Sequence, residues 1–201
     1  VFSKQTFDTF NTFKGGSLQD GRTISIDDSK KLRPHQRDLA DEWIRQSCLT
    51  WGIGEVAVSL INRIGMGKAT KVAFRLAVSD ANRRLQSSVD FLLIDAFYIP
   101  FVRGLSRKNQ LAIVDGDAKS FSIAAASIIA KVHRDKLMTN LGRNPKFKNY
   151  VWGKNKGYGT KEHQEAIKAF GITRHHRKDF VQTFLAKPPK GVKSFFSSQF
   201  P

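Results

Sequence analysis

The sequence predicts an α/β fold, because apolar runs typical of strands alternate with segments that have the apolar spacing of helices. Two short apolar runs carry most of this prediction: residues 89–94, which end at Asp95, and residues 111–114, which end just before Asp115. Compact, mostly apolar runs of this length are typical of strands buried on both faces. An acid at the carboxyl end of such a strand lies where α/β proteins place functional side chains.

The other elements are predicted from local signals. Before the two apolar runs we expect, in order, an extended segment at residues 1–13, a turn at Gly15-Gly16, a helix from Pro34 onward, a strand at residues 51–58 and a helix at residues 67–85. After them we expect a helix from residue 120 to about residue 138 and another at residues 160–170, capped by Thr160 and stopped by Gly171. Residues 187–201 form a basic tail with little periodicity.

The helix predicted from residue 120 is unusually rich in small side chains, namely Ala124, Ala125, Ala126, Ser127 and Ala130. Small side chains allow two backbones to approach closely. We therefore expect this helix to lie directly against the sheet. In that position its positive N-terminal end would hold Asp117 rigidly.

The charge of the chain points to a polyanionic partner. Lys and Arg number 34 against 17 Asp and Glu, which gives a formal net charge of +17 and a pI of about 10.3. Lys and Arg side chains that neutralise phosphates release condensed counterions, so nucleic acid is the leading prediction. Charge alone leaves two alternatives open, a solvated basic surface and a ribosome-associated protein.

Composition also bears on the compartment. The single Cys48 excludes an internal disulfide and a cysteine-based zinc site, which fits a reducing compartment. No run reaches the roughly 18 apolar residues of a membrane helix, and the given residues open on no signal segment. We expect a soluble, monomeric, cytoplasmic protein with no membrane partner.

Asp95 and Asp117 are the candidate site. If their strands are neighbours in the sheet, the two carboxylates lie close together and repel each other unless a cation or a proton intervenes. Mg²⁺ and Mn²⁺ prefer such oxygen ligands, and two such ions can support phosphodiester hydrolysis. The residues alone leave an alternative open, in which Asp95 is a turn residue and Asp117 caps a helix.

Several motifs in register resemble the successive signatures of ribonuclease HII over about residues 24–186. They are "DSKKL" at 28–32, "WGIGE" at 51–55, "LLID" at 92–95, "GDAKSFSIAAASIIAKVHRDKLM" at 116–138, "NKGYGT" at 155–160 and "HHRKDF" at 175–180. The resemblance implies a ribonuclease H-like fold, with a mixed central sheet flanked by helices and a C-terminal helical part. We accordingly expect a catalytic domain at residues 1–186.

The resemblance also implies an activity. Ribonuclease HII hydrolyses the RNA strand of RNA/DNA hybrids and incises duplex DNA on the 5′ side of an embedded ribonucleotide, with Mg²⁺ or Mn²⁺. Such an enzyme serves DNA replication and ribonucleotide excision repair. The residues that match the family's functional positions are Asp95 and Asp117 as metal ligands and catalytic residues, Tyr158 as the residue that stacks on the sugar beside the ribonucleotide, and Ser29, Lys30 and Lys31 at the substrate backbone.

The chain departs from the family pattern in three places. The family's other two carboxylates belong to an Asp-Glu-x-Gly-Arg-Gly motif, and no such motif occurs in the 201 residues. We therefore expect a sequence that lacks the first strand and that does not cleave by itself. Ala96 stands where a Gly commonly follows the acid, and Asp115 where a Lys commonly precedes Gly-Asp. Asp115 is either an extra charge that tightens cation binding or a turn residue, and we favour the turn.

Three interpretations compete. The first is a ribonuclease HII, and the second is a nucleic-acid-binding relative that has lost catalysis. The second gives no reason to keep both Asp95 and Asp117, which are present. The third, an unrelated basic module, predicts none of the ordered motifs.

Overall fold

The computed structural model describes residue 1, residues 15–17 and residues 21–185, and this part is a helix-rich α/β fold with a small parallel sheet. Its strands are β1 (Gly15–Ser17), β2 (Thr23–Ser25), β3 (Leu92–Asp95) and β4 (Gln110–Ile113). Its helices are α1 (Pro34–Ser47), α2 (Val58–Ile64), α3 (Met66–Leu85), α4 (Gly116–Lys119), α5 (Phe121–Arg143), α6 (Trp152–Asn155), α7 (Lys161–Phe170) and α8 (Lys178–Leu185), with short 3-10 turns at Arg107–Asn109 and Pro145–Tyr150. The predictions for most of residues 1–13 and for residues 187–201 lie outside the described residues.

The two acid-terminated strands are neighbours, as predicted. β3 and β4 pair in parallel, with Leu92 opposite Gln110 and Asp95 opposite Ile113. Because parallel strands end at the same edge of a sheet, the chain leaves Asp95 and enters α4 at one edge. The predicted turn at Gly15-Gly16 is wrong, since both glycines lie in β1, which pairs antiparallel with β2.

The strand predicted at residues 51–58 is also wrong. Residues 50–57 form no strand, and α2 begins at Val58. A Cβ on Gly54 would lie 1.8 Å from the carbonyl oxygen of Ala73, so this segment packs its bare backbone against α3. The amide of Ile53 donates to Asp80 Oδ2 at 3.1 Å, and this hydrogen bond is the main cause that lowers the pKa of Asp80 to about 2. These residues therefore pack against helix α3, and not against a neighbouring strand.

The main core forms where α5 packs against α1. Its buried members are Ile26, Leu32, Ala40, Ile44, Ala124, Ala125, Ile128, Ile129 and Val132. A second cluster under α7 and α8 surrounds Trp152, and a third surrounds Ile94 of β3. Among the described residues, no helix combines the length and the apolar composition that crossing a lipid bilayer requires.

The expectation for the small-residue helix is confirmed in part, because α5 contacts β3 of the parallel sheet, but two details differ. Ala124 and Ala125 are buried in the core shared with α1, whereas Ala126 and Ala130 are exposed. Asp117 does not stand at the N-terminus of α5 but belongs to the separate short helix α4. The small side chains therefore serve a helix-to-helix contact, and a different contact fixes Asp117.

Candidate active site at the edge of the parallel sheet

A backbone hydrogen bond from the residue before Asp117 holds that part of the chain against Asp95. The amide of Gly116 donates to Asp95 Oδ1 at 2.9 Å, and Gly116 directly precedes Asp117. Standard backbone dimensions then place the Cα of Asp117 within about 8 Å of the Asp95 carboxylate. A Cβ on Gly116 would lie 2.6 Å from Ile123 Cδ1 and 3.4 Å from Asp95 Oδ1, so a larger residue here would have to displace the end of the Ile123 side chain.

Both departures from the family pattern near this edge fall on left-handed backbone. Ala96 has a φ of 65° and Asp115 has a φ of 54°. Aspartate tolerates this conformation better than most residues, whereas alanine is strained in it. Asp115 thus has the conformation of a turn residue, which agrees with the interpretation that we favoured for it.

The predicted substrate segment at residues 28–32 reaches the same edge. The ammonium of Lys30 lies 4.0 Å from Asp117 Oδ2, with its side chain 82% exposed. Lys31 turns to Asp27 at 3.3 Å, and Ser29 is buried at 7% exposure. Of these three residues, Lys30 is the one that the structure places beside a predicted metal ligand.

Tyr158 lies on a loop that internal hydrogen bonds hold in shape. The buried side chain of Asn155 donates to the carbonyl of Tyr150 at 2.7 Å and accepts from the amide of Gly157 at 2.8 Å. Tyr158 is 53% exposed, and Lys131 Nζ lies 5.1 Å from the centroid of its ring. An exposed aromatic ring on a rigid loop is suited to stacking on a sugar or a base.

Two buried histidines hold this loop from beneath. The amide of Thr173 donates to His176 Nδ1 at 2.9 Å, so the proton of that imidazole lies on Nε2, which is 3.3 Å from His163 Nε2. His163 Nδ1 in turn donates to the carbonyl of Tyr158 at 2.8 Å. His163 Nε2 also accepts from Trp152 Nε1 at 3.1 Å. Burial, followed by the neighbouring His163, lowers the pKa of His176 to about 4, so His176 is neutral at physiological pH.

A charged bridge connects Tyr158 to the segment that carries Lys30. Asp135 accepts from Lys131 at 2.6 Å and pairs with Arg37 at 3.7 Å. Arg37 donates to the carbonyl of Ser29 at 3.1 Å. The side chains of Arg37 and Asp135 are only 12% and 18% exposed. Sequence reasoning missed this bridge, because the one local signal was the spacing of Lys131 and Asp135 on a single helix.

The carboxylates suit a hard cation. Oxygen donors from Asp95 and Asp117 are the type that Mg²⁺ and Mn²⁺ prefer, and the nearby Lys30 ammonium shows that the edge accommodates positive charge. Within the described part of the chain no three His, Cys, Asp or Glu side chains converge on a common point. These residues therefore fit a divalent ion as part of a ligand set.

The helix-rich α/β architecture with its small parallel sheet is that of the ribonuclease H-like class of proteins. A crystal structure titled as the ribonuclease H2 from Pyrococcus horikoshii OT3 superposes with a TM-score of 0.61 at 18% identity, over 92% of this chain and 89% of that one. This likeness supports the fold.

Sequence comparison then narrows the class to a family. The model of the family Ribonuclease HII matches residues 19–184. Ribonuclease HII of Wolbachia pipientis subsp. Culex pipiens (strain wPip) is 46% identical over 78% of this chain and 74% of its own length. That of Ehrlichia chaffeensis (strain ATCC CRL-10679 / Arkansas) is 41% identical over 87% and 76%. The chain belongs to the ribonuclease HII family, and its family function is that of a ribonuclease H, a nucleic-acid hydrolase whose members are generally metal-dependent.

Proposed function

We propose that this protein takes part in cutting the RNA strand of RNA/DNA hybrids and in incising duplex DNA on the 5′ side of single embedded ribonucleotides. The products carry a 3′-hydroxyl and a 5′-phosphate. We further propose that it acts as a cytoplasmic monomer in DNA replication and ribonucleotide excision repair. Family membership, the +17 charge and the residues at the sheet edge support this assignment.

Asp95 and Asp117 would hold Mg²⁺ or Mn²⁺, which when bound activates water and neutralises charge in phosphodiester hydrolysis. The hydrogen bond from the Gly116 amide keeps Asp95 oriented before any ion arrives. Lys30 brings a positive charge to the same edge, where a phosphate of the substrate strand is negative. Tyr158 stacks on the sugar beside the ribonucleotide and senses its 2′-hydroxyl.

The single observation that carries the proposal is the bond between the Gly116 amide and Asp95 Oδ1. It holds the residue before Asp117 against the Asp95 carboxylate, so two acids from separate parts of the sequence are neighbours at one edge of the sheet. Neighbouring carboxylates repel each other, and the one lysine ammonium beside Asp117 belongs to a side chain that is 82% exposed, so a bound cation would stabilise the pair.

Mn²⁺ binding tests the site directly, by titration with electron paramagnetic resonance detection. We expect Asp117→Asn to weaken Mn²⁺ binding at least about tenfold. Asp115→Asn is the matched control, since it removes the same charge two residues away and asparagine also tolerates the left-handed backbone. Equal losses in the two variants, or none in either, would contradict the assignment.

Cleavage tests the reaction. Three labelled substrates are incubated with Mn²⁺: a duplex with one embedded ribonucleotide, an RNA/DNA hybrid and an all-DNA duplex. Because the family's Asp-Glu-x-Gly-Arg-Gly motif is absent from the 201 residues, we expect this chain alone to bind the first two substrates and cut them poorly. We expect the chain fused to a segment that carries this motif to cut both and to leave DNA intact. Efficient cutting by the chain alone would refute the first expectation, and binding without any cutting by the fusion would favour a non-catalytic relative.

A further inference from the structure

Two arginines from distant parts of the sequence converge on the Tyr158 loop. On α5, Arg134 donates to the carbonyl of Lys156, at an N···O distance of 3.4 Å, and lies 3.5 Å from where a Cβ on Gly157 would stand. Arg177 is the residue directly before α8. Its guanidinium carbon lies 5.0 Å from the centroid of the Phe180 ring.

The Phe180 ring closes the path between the two arginines. A Cβ on Gly159 would lie 3.4 Å from Phe180 Cε1, so the ring under Arg177 touches the same loop that Arg134 touches. Burial lowers the pKa of Arg177, the positive charge of Arg134 lowers it further, and Tyr158 raises it. Arg134, Arg177 and Tyr158 therefore share one electrostatic environment.

Neither guanidinium is neutralised by an acid in the described part of the chain. The carboxylates of Asp135 and Glu162 are engaged elsewhere, by Lys131 and Arg37 and by Lys154 respectively. Within residues 21–185 no Asp or Glu lies within ion-pair distance of Arg134 or Arg177. Two mutually repelling cations, one of them partly buried, form an arrangement that an anion stabilises.

We propose that Arg134 and Arg177 together form a binding site for one backbone phosphate of the nucleic acid, next to the sugar that Tyr158 contacts. This proposal rests on the proposed function. A guanidinium presents its N–H groups as a planar fork that matches the oxygens of a phosphate, so two arginines can share one phosphodiester.

The neighbouring lysines are engaged elsewhere. Lys131 pairs with Asp135 at 2.6 Å, and Lys156 Nζ donates to Thr139 Oγ1 at 2.6 Å. Arg134 and Arg177 are thus the guanidinium groups beside Tyr158 that no acid of residues 21–185 neutralises. A phosphate held there fixes the strand so that the sugar meets the tyrosine ring.

Binding measured against salt concentration tests the site. The probe is a labelled duplex with one embedded ribonucleotide, followed by fluorescence anisotropy between about 50 and 200 mM salt, without divalent ions so that nothing is cut. We expect Arg134→Ala and Arg177→Ala each to weaken binding about 5- to 20-fold and to lower the salt slope by about one. The double variant should lose less affinity than the product of the two single-variant losses, because both arginines hold one phosphate.

Arg143→Ala is the matched control, since Arg143 is an exposed arginine at the far end of the same helix. We expect it to change affinity less than about twofold. Arg177→Lys keeps the charge but not the fork, so it should recover the salt slope and only part of the affinity. Circular dichroism and thermal unfolding confirm that each variant is folded before its binding is compared.

Neutral methylphosphonate linkages, placed one at a time along the labelled strand, locate the phosphate. At one position the neutral linkage should weaken binding by the wild-type protein as much as Arg134→Ala does. At the same position it should not weaken binding by the Arg134→Ala variant any further. If the wild type binds but no position behaves in this way, or if Arg143→Ala matches the other variants, the arginine site is refuted and the proposed function stands. If the wild type binds none of the duplexes, both are refuted.

Discussion

The buried side chain of His176 makes the stability of this protein depend on pH in a defined direction. The pKa of His176 is lowered from 6.5 to about 4, with burial as the main cause and the adjacent His163 as the second. In the unfolded chain the imidazole titrates normally, so between pH 4 and 6.5 the unfolded state binds more protons than the folded state. The free energy of unfolding therefore rises with pH across this window. The contribution of His176 is complete above pH 6.5 and is lost as the pH falls towards 4.

The magnitude follows from the size of the shift. A change in pKa from 6.5 to about 4 corresponds to about 3 kcal/mol of stability above pH 6.5. Local opening lets water reach a charged imidazolium, so we expect about 2 kcal/mol to be observed. The geometry gives the reason: His176 Nδ1 already accepts from Thr173, and Nε2 already donates to His163, so a further proton breaks one of these contacts.

Urea unfolding at a series of pH values between 4 and 7.5 measures the effect, with His176→Asn as the reference. The asparagine oxygen can still accept from the Thr173 amide, but the side chain does not titrate. Subtracting the free energy of unfolding of the variant from that of the wild type cancels the contributions of the carboxylates and of His175. The pKa of His175 is also lowered by burial. We expect this difference to shrink by about 2 kcal/mol from pH 7 to pH 4. Parallel stability profiles for the two proteins would refute the reasoning.

Three further predictions concern stability and are measured by urea unfolding at neutral pH. Ala96→Gly should raise the free energy of unfolding by about 0.5 to 1 kcal/mol, because it relieves a φ of 65°, and a decrease would contradict that strain. Gly54→Ala should lower it by about 3 kcal/mol, because the new Cβ would lie 1.8 Å from the carbonyl oxygen of Ala73; a neutral result would show that the contact yields. Asp135→Asn should cost about 1 to 2 kcal/mol, because Arg37 is only 12% exposed and loses its carboxylate. If Asp135→Asn lowers the free energy of unfolding by the same amount when Arg37 is replaced by Met, the two side chains are not coupled.

The parts of the fold that the sequence predicted well are those with local causes. Pro34 begins α1 because its ring suits the first helical turn, and the Thr160 hydroxyl accepts from the amide of His163 at the start of α7. The meeting of Asp95 with the Gly116 amide was also predictable, since parallel strands deliver their ends to one edge. The first two signals lie within a few residues of the features that they predict, whereas the third contact joins residues 21 apart and follows from the pairing of β3 with β4.

The parts that the sequence did not predict depend on partners far along the chain. Alternating large and small residues at 51–58 suit a strand, and only the approach of Gly54 to the carbonyl of Ala73 decides against one. The pairing of Arg37 with Asp135 leaves no periodic trace, because each residue alone resembles an ordinary charge on a helix surface. Tertiary packing, and not local propensity, sets these features.

Position 96 directly follows Asp95 and position 115 directly precedes Gly116, the two partners of the hydrogen bond at this edge, and their backbones explain their side chains. To let the Gly116 amide reach Asp95 Oδ1, the chain turns sharply after β3 and again before α4, and both turns use left-handed backbone. At position 96 the exchange of the family's usual glycine for alanine adds strain, because only glycine occupies this region freely. At position 115 aspartate fits the same region better than the family's usual lysine, so this exchange relieves strain. The extra acid beside Asp117 therefore has a sufficient cause in backbone conformation, and a role in cation binding is not needed to account for it.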